Sequence, residues 1–319
     1  MEHNLKLHAD TKLMAQLIAA TSQKYNILPI FIEKDYWVTH ILKALSISKY
    51  IDSAVFKGGT SLSKGYQLIS RFSEDVDLAV LHTKEQSGNT IKTIIRNIEK
   101  EITPDLREIE RIGVTSKGSR FRKSVFEYDS VLNIKSGLST GSIIVETNSF
   151  ANPYPYARKS IESFITTFLK DVNQIETIEK YGLEEFSINV LDKRQTLIEK
   201  LVSLIRFSHL GKDGLISKIR HFYDIHFLLQ DAECSEYIIN GHFKIDFYNV
   251  LAHDKEMFED PTGWQDIKLE DISLFNDTER VWSEIAPIYQ RELSGLAFTP
   301  IPAEGDVLGS FKKLIAVLF

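Results

Sequence analysis

Residues 53–81, SAVFKGGTSLSKGYQLISRFSEDVDLAVL, decide how this 319-residue chain folds. The apolar run Ala54-Val55-Phe56 reads as a short buried strand that enters the turn Lys57-Gly58-Gly59-Thr60-Ser61. A helix-like stretch follows through Leu62, Tyr66 and Ile69 and leads to a second strand, Asp75-Val76-Asp77-Leu78-Ala79-Val80-Leu81. Side chains alternate along a strand, so Asp75 and Asp77 share one face while Val76 and Leu78 take the other. Two carboxylates on one face repel unless a cation joins them, and Mg²⁺ held by one or two carboxylates and substrate phosphates is the usual solution. The glycine turn upstream suits phosphate, because glycine lets the backbone approach closely and present N–H groups.

Working outward, Lys57, Lys64 and Arg71 place positive charge near that turn, and Ser73 shares the strand face of Asp75, where it can contact a nucleotide. The segment from Gly59 to Lys64 lacks the Gly-Lys-Ser/Thr ending of a Walker A loop. A helix is expected over residues 10–24 and a second from about Ile30, after Pro29. Taken alone, Glu33-Lys34-Asp35 in the second helix reads as a solvated face. A helix over 84–100 and strands over 118–127 and 141–147 complete an α/β core. From Ser187 the pattern turns helical, with candidates over 191–210, 214–229, 233–240, 243–256 and 278–294. The expected class is α+β, with a small mixed-sheet core over residues 1–185 and a mostly helical domain over 186–319.

The Gly58-Gly59-Thr60-Ser61 turn followed by Asp75-Val76-Asp77 resembles the signature of nucleotidyltransferases with the polymerase-β-type core. The fuller strings, KGGTSLSK and then R-F-S-E-D-V-D-L, are similar to the AbiEii/AbiGii (MenT-like) toxins of abortive-infection and toxin–antitoxin systems. The resemblance implies that Asp75 and Asp77 hold two Mg²⁺ ions, that Gly58, Gly59, Thr60 and Ser61 cradle the triphosphate of an NTP, and that a third carboxylate, for which Glu146 is the candidate, joins them. The E-K-D-Y string recurs in that family, which makes Lys34 or Asp35 a brace for the catalytic strand. E-K-L-V-S-L-I-R followed by R-H-F-Y-D-I resembles its later motifs. By that likeness Lys200 contacts the triphosphate and Arg220 and Asp224 complete the site, the NTP lying between core and helical domain. Read without the resemblance, Arg220 and Asp224 are a surface pair four residues apart, worth a few tenths of a kcal/mol.

The implied reaction transfers a nucleoside monophosphate from an NTP to an acceptor hydroxyl, with the 3′ end of tRNA as acceptor and a cognate antitoxin as partner. A nucleotidyltransferase acting on a protein or small molecule, and a catalytically idle NTP-binding module, are the alternatives. The net charge of −6 argues mildly against a general nucleic-acid coater, which is normally basic, and requires any RNA to meet a local basic patch. The single cysteine, Cys234, excludes an internal disulfide framework, and neither a signal peptide nor a membrane span is legible, so a cytoplasmic setting is expected. His221 and His226 read as structural, with no H-x-x-x-H pair or Cys/His cluster to suggest zinc. Trp37, Trp264 and Trp282 read as core residues.

Overall fold

The computed structural model describes residues 5–73, 75–83, 85–132 and 141–319. The chain divides into two compact units: residues Met1–Tyr66 with Phe72–Leu191, and Gln67–Arg71 with Asp192–Phe319.

Unit 1 begins with helices α1 (Thr11–Tyr25) and α2 (Pro29–Ile47). Pro29 occupies the first turn of α2, where its missing N–H costs nothing. Strand β1 (Ala54–Lys57) then runs into helix α3 (Gly58–Lys64), and strand β2 (Asp75–Val80) returns antiparallel to β1. Helix α4 (Gly88–Ile102) follows, with Ile91, Ile95, Ile98 and Ile102 on its buried face and the Ser87 side chain capping its first turn. The remaining elements are β3 (Arg107–Ile109), β4 (Ser116–Lys117), β5 (Phe121–Glu127), β6 (Ser142–Asn148), β7 (Tyr156–Ile161), helices α5 (Phe164–Asp171) and α6 (Ile175–Tyr181), and β8 (Phe186–Leu191).

Among the described residues these strands form one mixed sheet in the order β3-β5-β6-β2-β1-β8-β7, with β4 on β5. β2 pairs parallel with β6, and β1 parallel with β8; the other pairs are antiparallel. Helices α2 and α4 pack against β6, and both touch each other. The residues that alternate with the acidic ones, Val76, Leu78, Ile143 and Val145, are fully buried.

Unit 2 is helical: α7 (Lys193–Ser208), α8 (Gly211–Ser217), α9 (Ile219–Gln230), α10 (Ala232–Ile239), α11 (Gly241–Met257), α12 (Ser273–Asn276), α13 (Thr278–Leu296) and α14 (Glu304–Ala316). Helix α9 packs against α7, α10, α13 and α14, and its Phe222 meets the rings of Trp282 and Phe311. Trp264 and Trp282 are buried here, as Trp37 is in unit 1. The mixed sheet with a mostly helical second half is the α+β arrangement expected from the sequence.

Local differences have physical reasons. The stretch read as helical through Ile69 stops at Lys64; Gly65 closes α3, Gln67 turns left-handed at φ 55°, and residues 67–71 join unit 2. Ser187, where a helical pattern was expected to start, lies in β8: Phe-Ser-Ile-Asn-Val-Leu alternates with period two and buries Ile188 and Val190. Helix α7 starts only after Asp192, whose carboxylate accepts the Arg194 N–H at 2.8 Å. Strand β8 belongs to unit 1, which runs to Leu191. Glu33, Lys34 and Asp35 are no solvated face; all three are buried, at 1%, 3% and 5% exposure.

Candidate active site

Strand register assembles the acidic face. Across β1, β2, β6 and β5, Lys57 pairs with Asp77, Asp77 with Glu146, and Glu146 with Lys123. Paired positions share a face, so four neighbouring strands carry a row of lysine, aspartate, glutamate and lysine. Asp75 lies on the same face two residues before Asp77. Lys123 Nζ sits 3.3 Å from Glu146 Oε2. Three carboxylates therefore stand between two ammonium groups.

The electrostatics register this excess. Dense packing around the Asp77 carboxyl raises its pKa well above the ordinary carboxylate value; Glu146 and Asp75 add to the rise, and Lys57 and Lys123 oppose it. Burial alone would lower the ammonium pKa of Lys123, but Glu146 and then Asp75 outweigh it and raise it. The donor set, three carboxylates on one sheet face with the central one reluctant to ionise, fits a hard divalent cation that takes oxygen ligands.

The glycine turn is built around the same aspartate. Gly58 has φ +79°, and a Cβ there would stand 2.1 Å from Asp77 Oδ2. Only glycine permits this approach. Gly59 follows it in the first turn of α3. Thr60 Oγ1 donates to the Asp75 carbonyl at 2.7 Å, and Ser61 Oγ to the Gly58 carbonyl at 2.8 Å. Both side chains are buried and tie the turn to β2 and to itself. Ser73 lies just ahead of β2, partly exposed.

Lys64, at the end of α3, points to an ion pair rather than to the carboxylate row: its Nζ lies 2.5 Å from Asp35 Oδ1 and donates to the Glu162 carbonyl at 2.9 Å. The other Asp35 oxygen accepts the Phe164 N–H at 2.8 Å. Asp35 thus braces the helix that carries the glycine turn. Glu33 accepts the Val131 N–H and the Ser130 hydroxyl, each at 2.7 Å, and Lys34 Nζ lies 5.9 Å from the Phe72 ring centre.

Unit 2 contains a second charged centre. Arg71 grips Asp224 through both carboxylate oxygens, with Nε and a terminal nitrogen each at 2.7 Å, while Lys200 Nζ reaches Asp224 Oδ2 at 2.6 Å. Arg71, Lys200 and Asp224 are all buried. Burial would raise the Asp224 pKa, yet Arg71 and Lys200 overcome that and hold it below the usual carboxylate range. Two cations and one carboxylate leave the trio with one formal positive charge. Neighbouring His221 is driven well below its ordinary value by burial and then by Lys200, so it stays neutral. Arg220, partly exposed at the start of α9, makes no ion pair seen among the described residues, and Asp224 is no surface partner for it.

The register thus brings Lys57, Asp75, Asp77 and Glu146 together in unit 1, and within unit 2 Arg71, Lys200 and Asp224 form a cluster of their own. Sequence reasoning missed Lys123; pairing 121–127 antiparallel with 142–148 would have exposed it opposite Glu146. It also missed the Arg71–Asp224 pair, which spans 153 residues and leaves no local signal.

A family model described as nucleotidyl transferase AbiEii toxin, type IV toxin–antitoxin system, matches residues 40–299. Among solved structures, the chain is similar to MenT4, a nucleotidyltransferase toxin from Mycobacterium tuberculosis H37Rv. The TM-score is 0.57 at 15% identity, covering 97% of this chain and 89% of that one. That likeness concerns the fold. No curated protein matches the chain in sequence. Because the family model spans most of the chain, including the glycine turn, the aspartate strand and both later motifs, the protein belongs to the AbiEii nucleotidyltransferase toxins of type IV toxin–antitoxin systems.

Proposed function

We propose that this toxin transfers a nucleoside monophosphate from an NTP to the 3′-terminal hydroxyl of tRNA, with release of pyrophosphate, and so stops translation in a toxin–antitoxin or abortive-infection setting. The observation that carries the reading is the Lys57–Asp77–Glu146–Lys123 row with Gly58 pressed against Asp77. Asp75 and Asp77 are the proposed ligands of two Mg²⁺ ions, which would supply charge neutralisation for an in-line phosphoryl displacement. Glu146 joins them or accepts the proton of the incoming hydroxyl, with the Lys123 ammonium 3.3 Å from its carboxylate. Gly58, Gly59, Thr60 and Ser61 form the phosphate turn, with Lys57 beside it and Asp35–Lys64 holding it from behind. In unit 2, the net positive Arg71–Asp224–Lys200 trio and Arg220 suit phosphate oxygens. Ser73 is assigned a nucleotide contact. A cognate antitoxin is the expected partner, and the cytoplasm, where NTP and tRNA meet, the expected setting. Among the described residues no helix is long and apolar enough to cross a membrane.

Label transfer tests the reading. Protein and its Asp77→Ala variant are incubated with Mg²⁺, total RNA, lysate protein and each α-labelled NTP in turn. Label on a tRNA-sized band, absent with the variant, supports the proposal and names the base. Label on protein or a small molecule moves the acceptor. No label under any condition, with NTP still bound, supports an idle binding module.

A further inference from the structure

Beside the E-K-D-Y string of α2, the fold gathers two histidines and an aspartate that the sequence keeps apart. His8 stands in the single helical turn Leu7–Ala9, His40 in the middle of α2, and Asp105 in the connection from α4 to β3. We propose that His8, His40 and Asp105 form a site for a divalent transition metal of the zinc type, which fastens the N-terminal turn and the α4–β3 connection to α2.

One ligand atom from each of the three residues lies within 4.8 Å of the others, a spread that small side-chain movements close to metal-ligand spacing. His40 Nε2 already lies 2.8 Å from Asp105 Oδ2. The His8 ring stands edge-on to the His40 ring at 5.1 Å and stacks on Trp37 at 4.7 Å. Outer contacts hold the rings in place: the Tyr36 hydroxyl is 2.8 Å from His8 Nδ1. Such a hydrogen bond orients a metal-binding histidine.

Two further observations point to a cation. Lys6, itself half exposed, places its ammonium 2.6 and 2.7 Å from the two Asp105 oxygens, so a displaceable positive charge already sits on this carboxylate. His40, Asp105 and Lys6 also line a cavity of about 320 Å³. Two imidazoles and a carboxylate favour zinc-type ions over Mg²⁺, and three protein ligands leave a fourth position for water or a small anion from that cavity. The carboxylate row of the candidate active site, all oxygen, selects the opposite kind of ion. His8 lies ahead of the residues matched by the family model, whereas His40 and Asp105 lie within them.

The test uses the full chain freed of metal with a chelator, held in excess Mg²⁺ to occupy the carboxylate row, and titrated with Zn²⁺ against a chromophoric chelator. One equivalent should bind tighter than about 1 µM, and Co²⁺ in its place should give visible absorption bands of low-coordinate geometry. His8→Gln and His40→Gln should each weaken Zn²⁺ binding at least about 100-fold, whereas Asp77→Ala should leave it intact. Lys6→Met, which removes the competing ammonium, should tighten it several-fold. His8→Gln alters only a short, partly exposed turn, so it remains informative if His40→Gln misfolds. Binding that survives both histidine variants, disappears with Asp77→Ala, or is weaker than about 100 µM in the parent overturns the proposal.

Discussion

Two charge clusters, one half-buried in unit 1 and one fully buried in unit 2, solve opposite problems. In unit 1 three carboxylates face two lysines, and the surroundings of Asp77, burial first and then Glu146 and Asp75, oppose its ionisation. In unit 2 a single carboxylate, Asp224, is gripped by two cations and is more acidic than any free aspartate. The first cluster is short of positive charge, which the proposed Mg²⁺ would supply. The second has positive charge to spare and is internally satisfied. An acid whose neighbours oppose its ionisation is thus set up to receive a cation, whereas one whose neighbours enforce it holds those cations in place.

The largest effect that would break this contrast is expected at Asp77. Asp77→Asn should reduce nucleotide transfer at least about a thousandfold, since metal-held charge contributes several kcal/mol. The same change should raise the melting temperature of the metal-free protein near pH 7. The sign follows from linkage: a carboxyl whose folded pKa is raised binds more protons folded than unfolded. Its contribution to stability therefore falls as pH rises from the unfolded value, about 4, through the raised one. Mg²⁺ should stabilise the parent and not the variant. A variant less stable than the parent under metal-free conditions would break the contrast.

Asp224→Asn should do the reverse. It leaves Arg71 and Lys200 buried without their counter-charge, at a cost of about 3–5 kcal/mol, measurable by urea unfolding. Because the folded pKa of Asp224 is depressed, its stabilisation is full above the unfolded carboxylate value and is lost as pH falls through the depressed one. Acid unfolding should therefore steepen for the parent and flatten for the variant.

Gly58→Ala sharpens the comparison geometrically. The added Cβ meets Asp77 Oδ2 at 2.1 Å in a left-handed backbone conformation. A loss of about 1–3 kcal/mol from backbone strain is expected, with a larger fall in transfer activity because Asp77 must move. The smallest effect belongs to Lys123→Met. Removing an ammonium that steadies Glu146 should lower activity about tenfold and shift the acidic limb of its pH profile upward, with the melting temperature little changed. An unshifted profile would detach Lys123 from the carboxylate row.

What the sequence by itself determined was local. The turn at Gly58-Gly59, the alternation that puts Asp75 and Asp77 on one face, and most helices of unit 2 follow from backbone preference and side-chain periods of two and 3.6 residues. From those few residues the family was legible. Tertiary structure decided everything that depends on register and long-range pairing: Lys123 opposite Glu146, Arg71 rather than Arg220 on Asp224, Lys64 turned to Asp35, and the burial of Glu33-Lys34-Asp35. It also decided the meeting of His8, His40 and Asp105. A charged residue looks alike in sequence whether it faces water or a partner a hundred positions away. Its role is set by the desolvation and pairing that only the packed chain supplies.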